Sequence, residues 1–471
     1  MPHTHTFIKI KMICDYTFIN FNTCFTKELI NFAPRNHQFH SVMYRQKIEE
    51  LLAWKNSPRR KPLIMRGARQ VGKTWLLREF GRQYYQQCVY VNFENATELQ
   101  VLFDQDFDVN RIIQTLQIYT RTPITADTLI ILDEIQVVPR GLTALKYFCE
   151  DAPQYHVAAA GSLLGMGLHH GVSFPVGKVN FIDLHPMTFD EFLQALGEQQ
   201  LVDALVSRNW KTVQVFADRL KNHLRSYYYV GGMPEAVRTY IETHDLAMVR
   251  QVHQEIIRDY ENDFSKHAPV GIVNRLYMVW QSIPSQLAKE NKKFVYGIIR
   301  EGARAKDFEL SIQWLLDCGL LVACRRVKEP RLPLTAYQEL SVFKLFLLDV
   351  GLLSAMSGLD QHTLLMGNNI FTEFKGALTE QYVMQQLHAL HTDYIGYWTN
   401  ERSTAEVDFI VQSQGEVIPI EVKAEENLRA KSFKQFCDTY APTHAIRTSM
   451  CPYKEEEWMT NVPLYGIAHC L

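Results

Sequence analysis

One short segment carries the residue types needed to hold the phosphates of a nucleotide. Residues 67–74 read GARQVGKT and match the phosphate-binding pattern GxxxxGK followed by Ser or Thr. Gly67 and Gly72 let the backbone bend so that its amide groups point at phosphate oxygens. Lys73 then reaches the β and γ phosphates, and the Thr74 hydroxyl is a ligand for Mg²⁺.

A second segment supplies the carboxylates that this chemistry requires. Residues 129–134 read LIILDE, an apolar strand that ends in two acidic residues. We expect Asp133 to hold the Mg²⁺ shell and Glu134 to orient or deprotonate an attacking water, with Lys73 as a further catalytic residue. The alternative is a buried strand that ends in an acidic loop. The predicted ATP-binding residues are Gly67, Ala68, Arg69, Gln70, Val71, Gly72, Lys73, Thr74 and Asp133, and the predicted Mg²⁺ ligands are Thr74 and Asp133.

A third strand is predicted at residues 156–160 and is followed by Gly161 and Ser162. A polar residue at this strand end is placed to sense the γ-phosphate beside the attacking water. Ser162 is therefore a third catalytic candidate, and a simple turn at the strand end is the equally weighted alternative.

Bulk composition limits the class of protein. A chain of 471 residues is too long for one ordinary core and predicts about three or four domains. Its hydrophobic content of 47% and its net charge of −2 indicate a globular protein without a uniformly basic surface. Nine cysteines without a CxxC pair favour neither a disulfide framework nor a zinc site, which predicts a cytoplasmic location. No apolar stretch approaches the roughly 20 residues that cross a bilayer.

The chain from residue 43 alternates helical and apolar strand patterns. This alternation predicts an α/β fold with a doubly wound parallel sheet over residues 43–193 and a helical lid over residues 194–260. Residues 1–42 lack a clean period and are predicted to be a poorly ordered or mis-assigned extension. The five predicted strands are residues 62–65, 88–93, 129–132, 156–160 and 179–184.

Residues 261–350 have a different pattern, with helices, a glycine-containing turn and a strand. Apolar residues fall on one face of a predicted helix that begins near Ala305, and Gly319 would cap it. The pattern resembles a winged helix, which often contacts DNA. A compact protein-packing module is the alternative, because acidic and basic residues are mixed on the outward face.

A second constellation lies near the C-terminus. If Gln414 and Gly415 form a tight turn, Asp408 faces Glu421 across a hairpin. Facing carboxylates repel unless a cation lies between them. Asp408 and Glu421 are therefore a candidate metal site with Lys423 as a positioning residue, and a solvent-exposed charged hairpin is the alternative. This arrangement resembles the PD-(D/E)XK nuclease fold, and the resemblance implies that Glu380, on a predicted helix, is a further metal ligand.

Several motifs occur in the order found in prokaryotic AAA-type ATPases that carry a DUF4143 domain, and the chain resembles these proteins from about residue 43 onward. The resemblance implies ATP binding and hydrolysis at residues 67–74, Asp133 and Glu134. It also implies a winged-helix module and, over residues 351–471, a restriction-endonuclease-like α/β domain of the PD-(D/E)XK nuclease type. The motifs that carry it are KPLIMRGARQVGKTWLLREFG, LIILDEIQ, AAGSLLG, FPVGKV, LHPMTFDEFL, GGMPEAV, FKLFLLDVGLL and EVDFIVQSQGEVIPIEVKAEENLRAKSF.

One departure concerns Lys178, where relatives often carry arginine. Lysine keeps the charge but lacks the bidentate fork, which puts an arginine-finger role there in doubt. Arg66 and Arg69 are other candidate phosphate-facing cations, with surface charge as the alternative for each. In proteins of this kind, an arginine from a neighbouring subunit often completes the ATP site. A homo-oligomer is therefore among the expected partners.

Three functions follow from these patterns. The favoured one is hydrolysis of ATP with Mg²⁺ to drive or gate a conformational change that acts on nucleic acid, including DNA, or on a partner protein. An ATP-gated, metal-dependent nuclease is the first alternative. The second is a regulatory or docking protein in which the bound nucleotide acts only as a switch.

Overall fold

The chain from Met43 alternates helices with parallel strands, as predicted. The computed structural model describes residues 43–161, 175–289, 292–360, 372–390, 393–400, 405–424 and 431–471. The predicted extension over residues 1–42 therefore lies outside the described residues. The elements of the first part are α1 (Ile48–Asn56), β1 (Leu63–Arg66), α2 (Lys73–Tyr84), β2 (Gln87–Asn92), α3 (Val109–Thr120), β3 (Thr128–Asp133), α4 (Pro139–Asp151), β4 (His156–Ala160) and β5 (Asn180–Asp183).

These five strands form one sheet in the order β2-β3-β4-β1-β5, and every neighbouring pair is parallel. Alternate residues of a strand enter different cores. In β3, for example, Leu129 and Ile131 belong to one apolar cluster and Ile130 and Leu132 to another. The central strands β3 and β4 are buried along their whole length because both faces of the sheet are covered, which is the pattern of an α/β sheet. The predicted α/β class is confirmed.

A helical region follows the sheet. Its first helix is capped by Thr188, whose hydroxyl accepts a hydrogen bond from the Glu191 amide while the Glu191 carboxylate accepts one from the Thr188 amide. The Gly231 and Gly232 pair separates two later helices, and Pro234 is the first residue of the second one. The helices are α5 (Phe189–Ala195), α6 (Gln199–Val206), α7 (Trp210–Val215), α8 (Ala217–Val230), α9 (Pro234–Thr243) and α10 (Leu246–His267).

The next part contains three helices and two antiparallel strands. The predicted helix beginning at Ala305 is present, and Gly319 follows it with a φ of 71°. This order of helices and strands is compatible with a winged helix, which stays a prediction. The elements are α11 (Val273–Leu287), α12 (Tyr296–Ile299), α13 (Ala305–Asp317), β6 (Leu321–Val327) and β7 (Gln338–Leu347).

The C-terminal part extends this strand pair into an eight-stranded sheet, in the order β12-β13-β11-β10-β9-β8-β6-β7. Strand β6 pairs with β8 in parallel, so the sheet crosses the predicted boundary at residue 350. The division into domains remains a prediction. The elements are α14 (Val350–Met356), α15 (Thr372–Ala389), β8 (Tyr394–Thr399), β9 (Glu406–Ser413), β10 (Glu416–Val422), α16 (Lys431–Tyr440), β11 (Ile446–Ser449), β12 (Lys454–Glu456) and β13 (Met459–Pro463).

Buried hydrogen bonds connect the helical region to the C-terminal part. The Asp349 carboxylate accepts hydrogen bonds from the Gly232 amide at 2.6 Å and from the Gln385 side chain at 3.0 Å. Gln385 also donates to the Tyr227 hydroxyl. Buried polar groups need such partners, so these contacts fix α15 against the turn between α8 and α9. Among the described residues, no helix is long and apolar enough to cross a membrane.

Candidate active site

The glycine-rich segment forms a tight loop between β1 and α2. Gly67 has a φ of 142° and Gly72 a φ of 94°, which are conformations that favour glycine. A Cβ atom at Gly67 would lie 2.2 Å from the carbonyl oxygen of Leu184. The loop can therefore keep this path only with glycine at that position.

Lys73 fills the inside of the loop. Its ammonium donates to the carbonyl oxygens of Gly67 at 2.9 Å and Ala68 at 2.7 Å. Burial lowers the pKa of Lys73 to about 8, against the opposing effect of the Glu134 and Asp133 carboxylates. A buried ammonium held by two carbonyl oxygens is placed where phosphate oxygens would be its better partners.

Thr74 meets Asp133 across the sheet. The Thr74 hydroxyl donates to Oδ2 of Asp133 at 2.8 Å, and the Tyr90 hydroxyl donates to the same oxygen at 2.9 Å. Parallel pairing of β2 with β3 sets Asn92 opposite Asp133. This hydroxyl and this carboxylate are oxygen ligands of the kind that Mg²⁺ prefers.

Glu134 follows at once and leaves the strand in a left-handed conformation, with a φ of 50°. Its amide donates to Oδ1 of Asp133 at 3.1 Å, and its carboxylate accepts a hydrogen bond from the Gln136 side chain. Burial raises the pKa of the Glu134 carboxyl. A raised pKa suits a carboxylate that takes up a proton during a reaction.

The other predicted groups are Ser162, Lys178 and Arg66. Ser162 lies outside the described residues, so its role stays a prediction. Lys178 pairs with Glu150 at 2.8 Å. Arg66 makes two hydrogen bonds to Asp183, at 2.8 and 2.7 Å. Both cations are engaged by carboxylates, as the surface-charge interpretation expects.

Helix α10 contacts the loop directly, which the sequence analysis missed. The Arg69 guanidinium donates to Asp263 at 2.6 Å, and the Gln70 side chain donates to Asp259 at 2.7 Å. The Tyr260 hydroxyl donates to the carbonyl oxygen of Arg69 at 2.8 Å. The sequence shows that Asp259 and Asp263 are four residues apart and so lie on one face of the helix. It does not show that this face contacts the glycine-rich loop.

Arg45 supports the other end of the loop and was also missed. Its guanidinium donates to the carbonyl oxygens of Val71 at 2.8 Å and His185 at 2.6 Å, and it pairs with Glu191 at 3.2 Å. Arg45 is buried. Because its partners lie at least 26 residues away in the chain, no local pattern indicates this role.

The C-terminal hairpin has the predicted turn. Gln414 and Gly415 have φ values of 50° and 81°. The pairing runs from Glu416 with Ser413 to Ile420 with Phe409, the residues next to Glu421 and Asp408. The Val422 amide donates to Asp408 Oδ2 at 2.8 Å.

Lysines surround these carboxylates. Glu380 accepts from Lys292 at 2.5 Å and lies 3.8 Å from the Lys344 ammonium. Lys344 also pairs with Glu406 at 2.5 Å. In addition, Lys423 pairs with Glu421 at 2.7 Å.

Burial and neighbouring charges shift the pKa values of the carboxyl groups in this cluster. Burial raises the pKa of Asp408 well above its usual value, and the Glu380 and Glu421 carboxylates raise it further. Burial also raises the pKa of Glu421. In the part of the chain that the structure describes, no group of three or more His, Cys, Asp or Glu side chains has the arrangement of a metal site. The predicted metal site at Glu380, Asp408 and Glu421 stays a prediction.

Residues 59–193, which include the glycine loop and the whole parallel sheet, match the AAA domain family. The chain contains an AAA domain. Residues 375–466 match a domain of unknown function, DUF4143, and residues 221–363 match another, DUF8612. The AAA and DUF4143 parts of the predicted resemblance are thereby confirmed, and the nuclease-like part is not. Helix α10 belongs to the DUF8612 match, which the sequence analysis did not name.

Three solved structures align with much of the chain at low identity. A Walker-type ATPase of Pyrococcus abyssi is 14% identical, with a TM-score of 0.43 over 67% of this chain and 96% of its own. The ORC1 protein of Aeropyrum pernix, solved in complex with DNA, is 15% identical, with a TM-score of 0.28 over 70% and 95%. DnaA of Aquifex aeolicus, solved with AMPPCP, is 12% identical, with a TM-score of 0.26 over 57% and 86%. No curated protein matches the chain.

Proposed function

We propose that the protein binds ATP at residues 67–74 and hydrolyses it with Mg²⁺. The observation that carries this proposal is the meeting of Lys73, Thr74, Asp133 and Glu134 at the carboxyl ends of β1 and β3. Triphosphate hydrolysis uses these same groups: an ammonium in the loop, a hydroxyl beside a carboxylate, and a second carboxylate. The match of this segment to the AAA domain family supports the same activity.

Each of these residues has a role in the proposal. The backbone amides of residues 67–74 bind phosphate oxygens, and the Lys73 ammonium exchanges its two carbonyl partners for them. Thr74 and Asp133 would hold Mg²⁺, which supplies positive charge to the β and γ phosphates when bound. Glu134 accepts the proton of the attacking water, and Ser162 is the proposed γ-phosphate sensor.

Turnover would drive or gate a conformational change that acts on nucleic acid or a partner protein. The turn at Gly232 lies close to the loop, because a Cβ atom at Gly72 would lie 3.5 Å from the Pro234 ring. That turn is hydrogen-bonded to Asp349, and Asp349 to Gln385 on α15. A short chain of buried contacts thus supports coupling between the loop and the DUF4143 region.

The binding claim is tested by substituting Lys73. Lys73→Ala should abolish ATP binding measured by equilibrium dialysis, whereas the exposed Lys211→Ala should bind as wild type does. Unchanged affinity in Lys73→Ala would contradict the assigned site. The ATPase rate with and without single- and double-stranded DNA, at stated salt, then tests nucleic acid as the partner, since a protein partner predicts no stimulation.

For the C-terminal region we propose a docking or regulatory role rather than phosphodiester cleavage. The cluster already contains cations supplied by the protein itself. Lys344 lies between Glu380 and Glu406 and is 1% exposed, and Lys423 pairs with Glu421 at 2.7 Å. An ammonium in this position reduces the carboxylate charge that would attract a metal.

A cleavage assay separates the two roles. Plasmid and oligonucleotide DNA are incubated with wild type and with Glu421→Ala in Mg²⁺ or Mn²⁺. The docking role predicts no metal-dependent product above the background of the variant. A product formed by wild type and lost in Glu421→Ala would establish the ATP-gated nuclease instead.

A further inference from the structure

Arg69 is the third residue of the eight-residue loop, and its side chain is not buried within the loop. The side chain is 45% exposed, and its guanidinium donates to the Asp263 carboxylate at 2.6 Å. Among the described residues, this is the side-chain hydrogen bond that the structure gives it, although a guanidinium has five N–H donors. Arg69 therefore has donors left with which to bind a second anion.

The charged groups around Arg69 are carboxylates, and they keep its guanidinium protonated. Burial alone would lower the pKa of Arg69, but Asp263, with further contributions from Asp259 and Glu134, raises it. The Glu134 carboxylate is thus one of the charges that act on the Arg69 guanidinium. Arg69 directly follows Gly67 and Ala68, whose carbonyl oxygens hold the Lys73 ammonium at 2.9 and 2.7 Å. The third loop position is therefore next to the place where the γ-phosphate would meet Lys73.

Arg66 provides a contrast within the same segment. Its guanidinium makes two hydrogen bonds to Asp183, and its plane lies over the Phe181 ring at 4.4 Å. A bidentate, stacked arginine is held in one orientation. Arg69 makes one hydrogen bond, to the Asp263 carboxylate on helix α10. Of the two arginines, Arg69 is therefore the one that can more easily exchange its carboxylate partner for a phosphate.

We propose that Arg69 is a catalytic residue of ATP hydrolysis, supplied by the loop itself, and that Asp263 on α10 is a positioning residue that holds it before ATP binds. This inference rests on the proposed ATPase function. The guanidinium leaves Asp263 for the γ-phosphate oxygens and stabilises the charge of the transition state. Its departure also removes one of the contacts that fix α10 to the loop.

The chemical step balances without a change in Arg69. Water forms a bond to the γ-phosphorus, its proton passes to the Glu134 carboxylate, and the bond to the bridging oxygen breaks, which leaves ADP. Arg69 stays protonated throughout. The contribution of Arg69 to the rate is therefore electrostatic. It stabilises the negative charge on the phosphoryl group in the transition state.

The position of the two aspartates explains why α10 would respond to the nucleotide. Asp259 and Asp263 lie beside a loop that is built to attract a triphosphate, so their carboxylates oppose its charge. Asp259 holds Gln70 and Asp263 holds Arg69. ATP binding is expected to weaken both contacts, and release of phosphate to restore them.

The experiment compares substitutions on the two sides of the ion pair. Arg69→Ala should lower kcat by about 100- to 1,000-fold with little change in KM, and Arg69→Lys should recover part of the loss because it keeps the charge. Asp263→Asn should lower KM, since it frees Arg69 and removes a negative charge, and any loss of kcat should be far smaller than in Arg69→Ala. Asp183→Asn, which breaks the neighbouring pair with Arg66, is the matched control and should resemble wild type in both constants.

A second readout does not depend on turnover. Hydrogen–deuterium exchange of residues 255–267 is measured with and without the non-hydrolysable analogue AMPPCP. The analogue should speed exchange in wild type, and this response should be lost in Arg69→Ala, whose α10 has no arginine to release.

The outcomes separate this inference from the proposed function. Equal losses of kcat in Arg69→Ala and Asp263→Asn would show that the pair is only structural and would overturn the inference. A normal kcat in Arg69→Ala, together with an inactive Lys73→Ala, would leave the ATPase intact and remove the role of Arg69. A wild-type protein that does not hydrolyse ATP would remove the proposed activity and the catalytic role together.

Discussion

The Thr74 hydroxyl lies 2.8 Å from a carboxylate oxygen of Asp133, although 59 positions separate the two residues. The contact exists because β1 and β3 both pair with β4 in parallel, so the residues that follow them meet at one edge of the sheet. At that edge a hydroxyl, a carboxylate and a helix N-terminus converge, which is the arrangement expected for a bound phosphate and its metal ion.

The loop should not tolerate a Cβ atom at its first position. Gly67→Ala would place that atom 2.2 Å from the Leu184 carbonyl oxygen in a backbone conformation that favours glycine. We expect loss of ATP binding in a calorimetric titration and a lower melting temperature. Gly271→Ala is the control, because a Cβ atom there meets no heavy atom within 4 Å. Normal ATP affinity in Gly67→Ala would contradict the loop geometry.

Tyr90 should tune the proposed metal site without contacting the nucleotide. Tyr90→Phe removes the hydrogen bond that holds Oδ2 of Asp133, a loss of about 1 kcal/mol. We expect a higher Mg²⁺ concentration for half-maximal ATPase activity, with unchanged ATP binding in EDTA. A variant whose Mg²⁺ dependence matches wild type would show that Tyr90 does not position Asp133.

Acid should destabilise the protein partly through His253, which donates to the Val230 carbonyl oxygen just before the glycine turn. Burial, aided by Arg250, lowers the pKa of His253 to about 3, whereas the unfolded chain has a value near 6.5. Between these values the unfolded chain binds a proton that the folded protein does not, so stability is lost as pH falls below about 6.5, by up to about 1.4 kcal/mol per pH unit.

His253→Gln can keep the hydrogen bond but cannot take up a proton. Urea denaturation at several pH values should therefore give a shallower dependence of the unfolding free energy on pH than in wild type. The exposed His244→Gln serves as the control and should keep the wild-type slope. Equal slopes for all three proteins would rule out His253 as the source of the effect.

Lys344 should be needed to stabilise the C-terminal carboxylates. Lys344→Met removes the ammonium shared by Glu406 and Glu380 and should cost about 3–5 kcal/mol, because buried carboxylates are left unpaired. Lys434→Met, at an exposed pair with Asp438, should change stability by less than about 1 kcal/mol. Chemical denaturation measures both. A stable Lys344→Met would argue that a metal ion, rather than Lys344, balances the cluster.

The parts of the fold that depend on local sequence could be predicted. The glycine loop, the apolar strand ending in Asp133 and the hairpin turn at Gln414 each lie within a few consecutive residues. The predicted strands agree with the observed ones to within one residue at either end. The signal is clearest for β3 and β4, which are buried along their whole length. The match to the AAA domain family agrees with this part of the prediction.

Long-range contacts could not be predicted in the same way. Arg69 and Asp263 are 194 positions apart, and nothing near either residue indicates the other. Lys344 lies on β7, and its own sequence neighbours do not indicate its partners. It comes near the hairpin carboxylates because β7 pairs with β6 and β6 pairs with β8 in the same sheet. Such contacts depend on how helices and sheets pack, which periodicity alone does not specify.

The central claim is that this loop and its carboxylates hydrolyse ATP, and Glu134→Gln tests it most directly. The substitution keeps the size and position of the side chain but removes its ability to accept a proton. Measured side by side, ATP affinity should equal that of wild type while the steady-state rate of phosphate release falls to background. Unchanged phosphate release from Glu134→Gln would contradict the account.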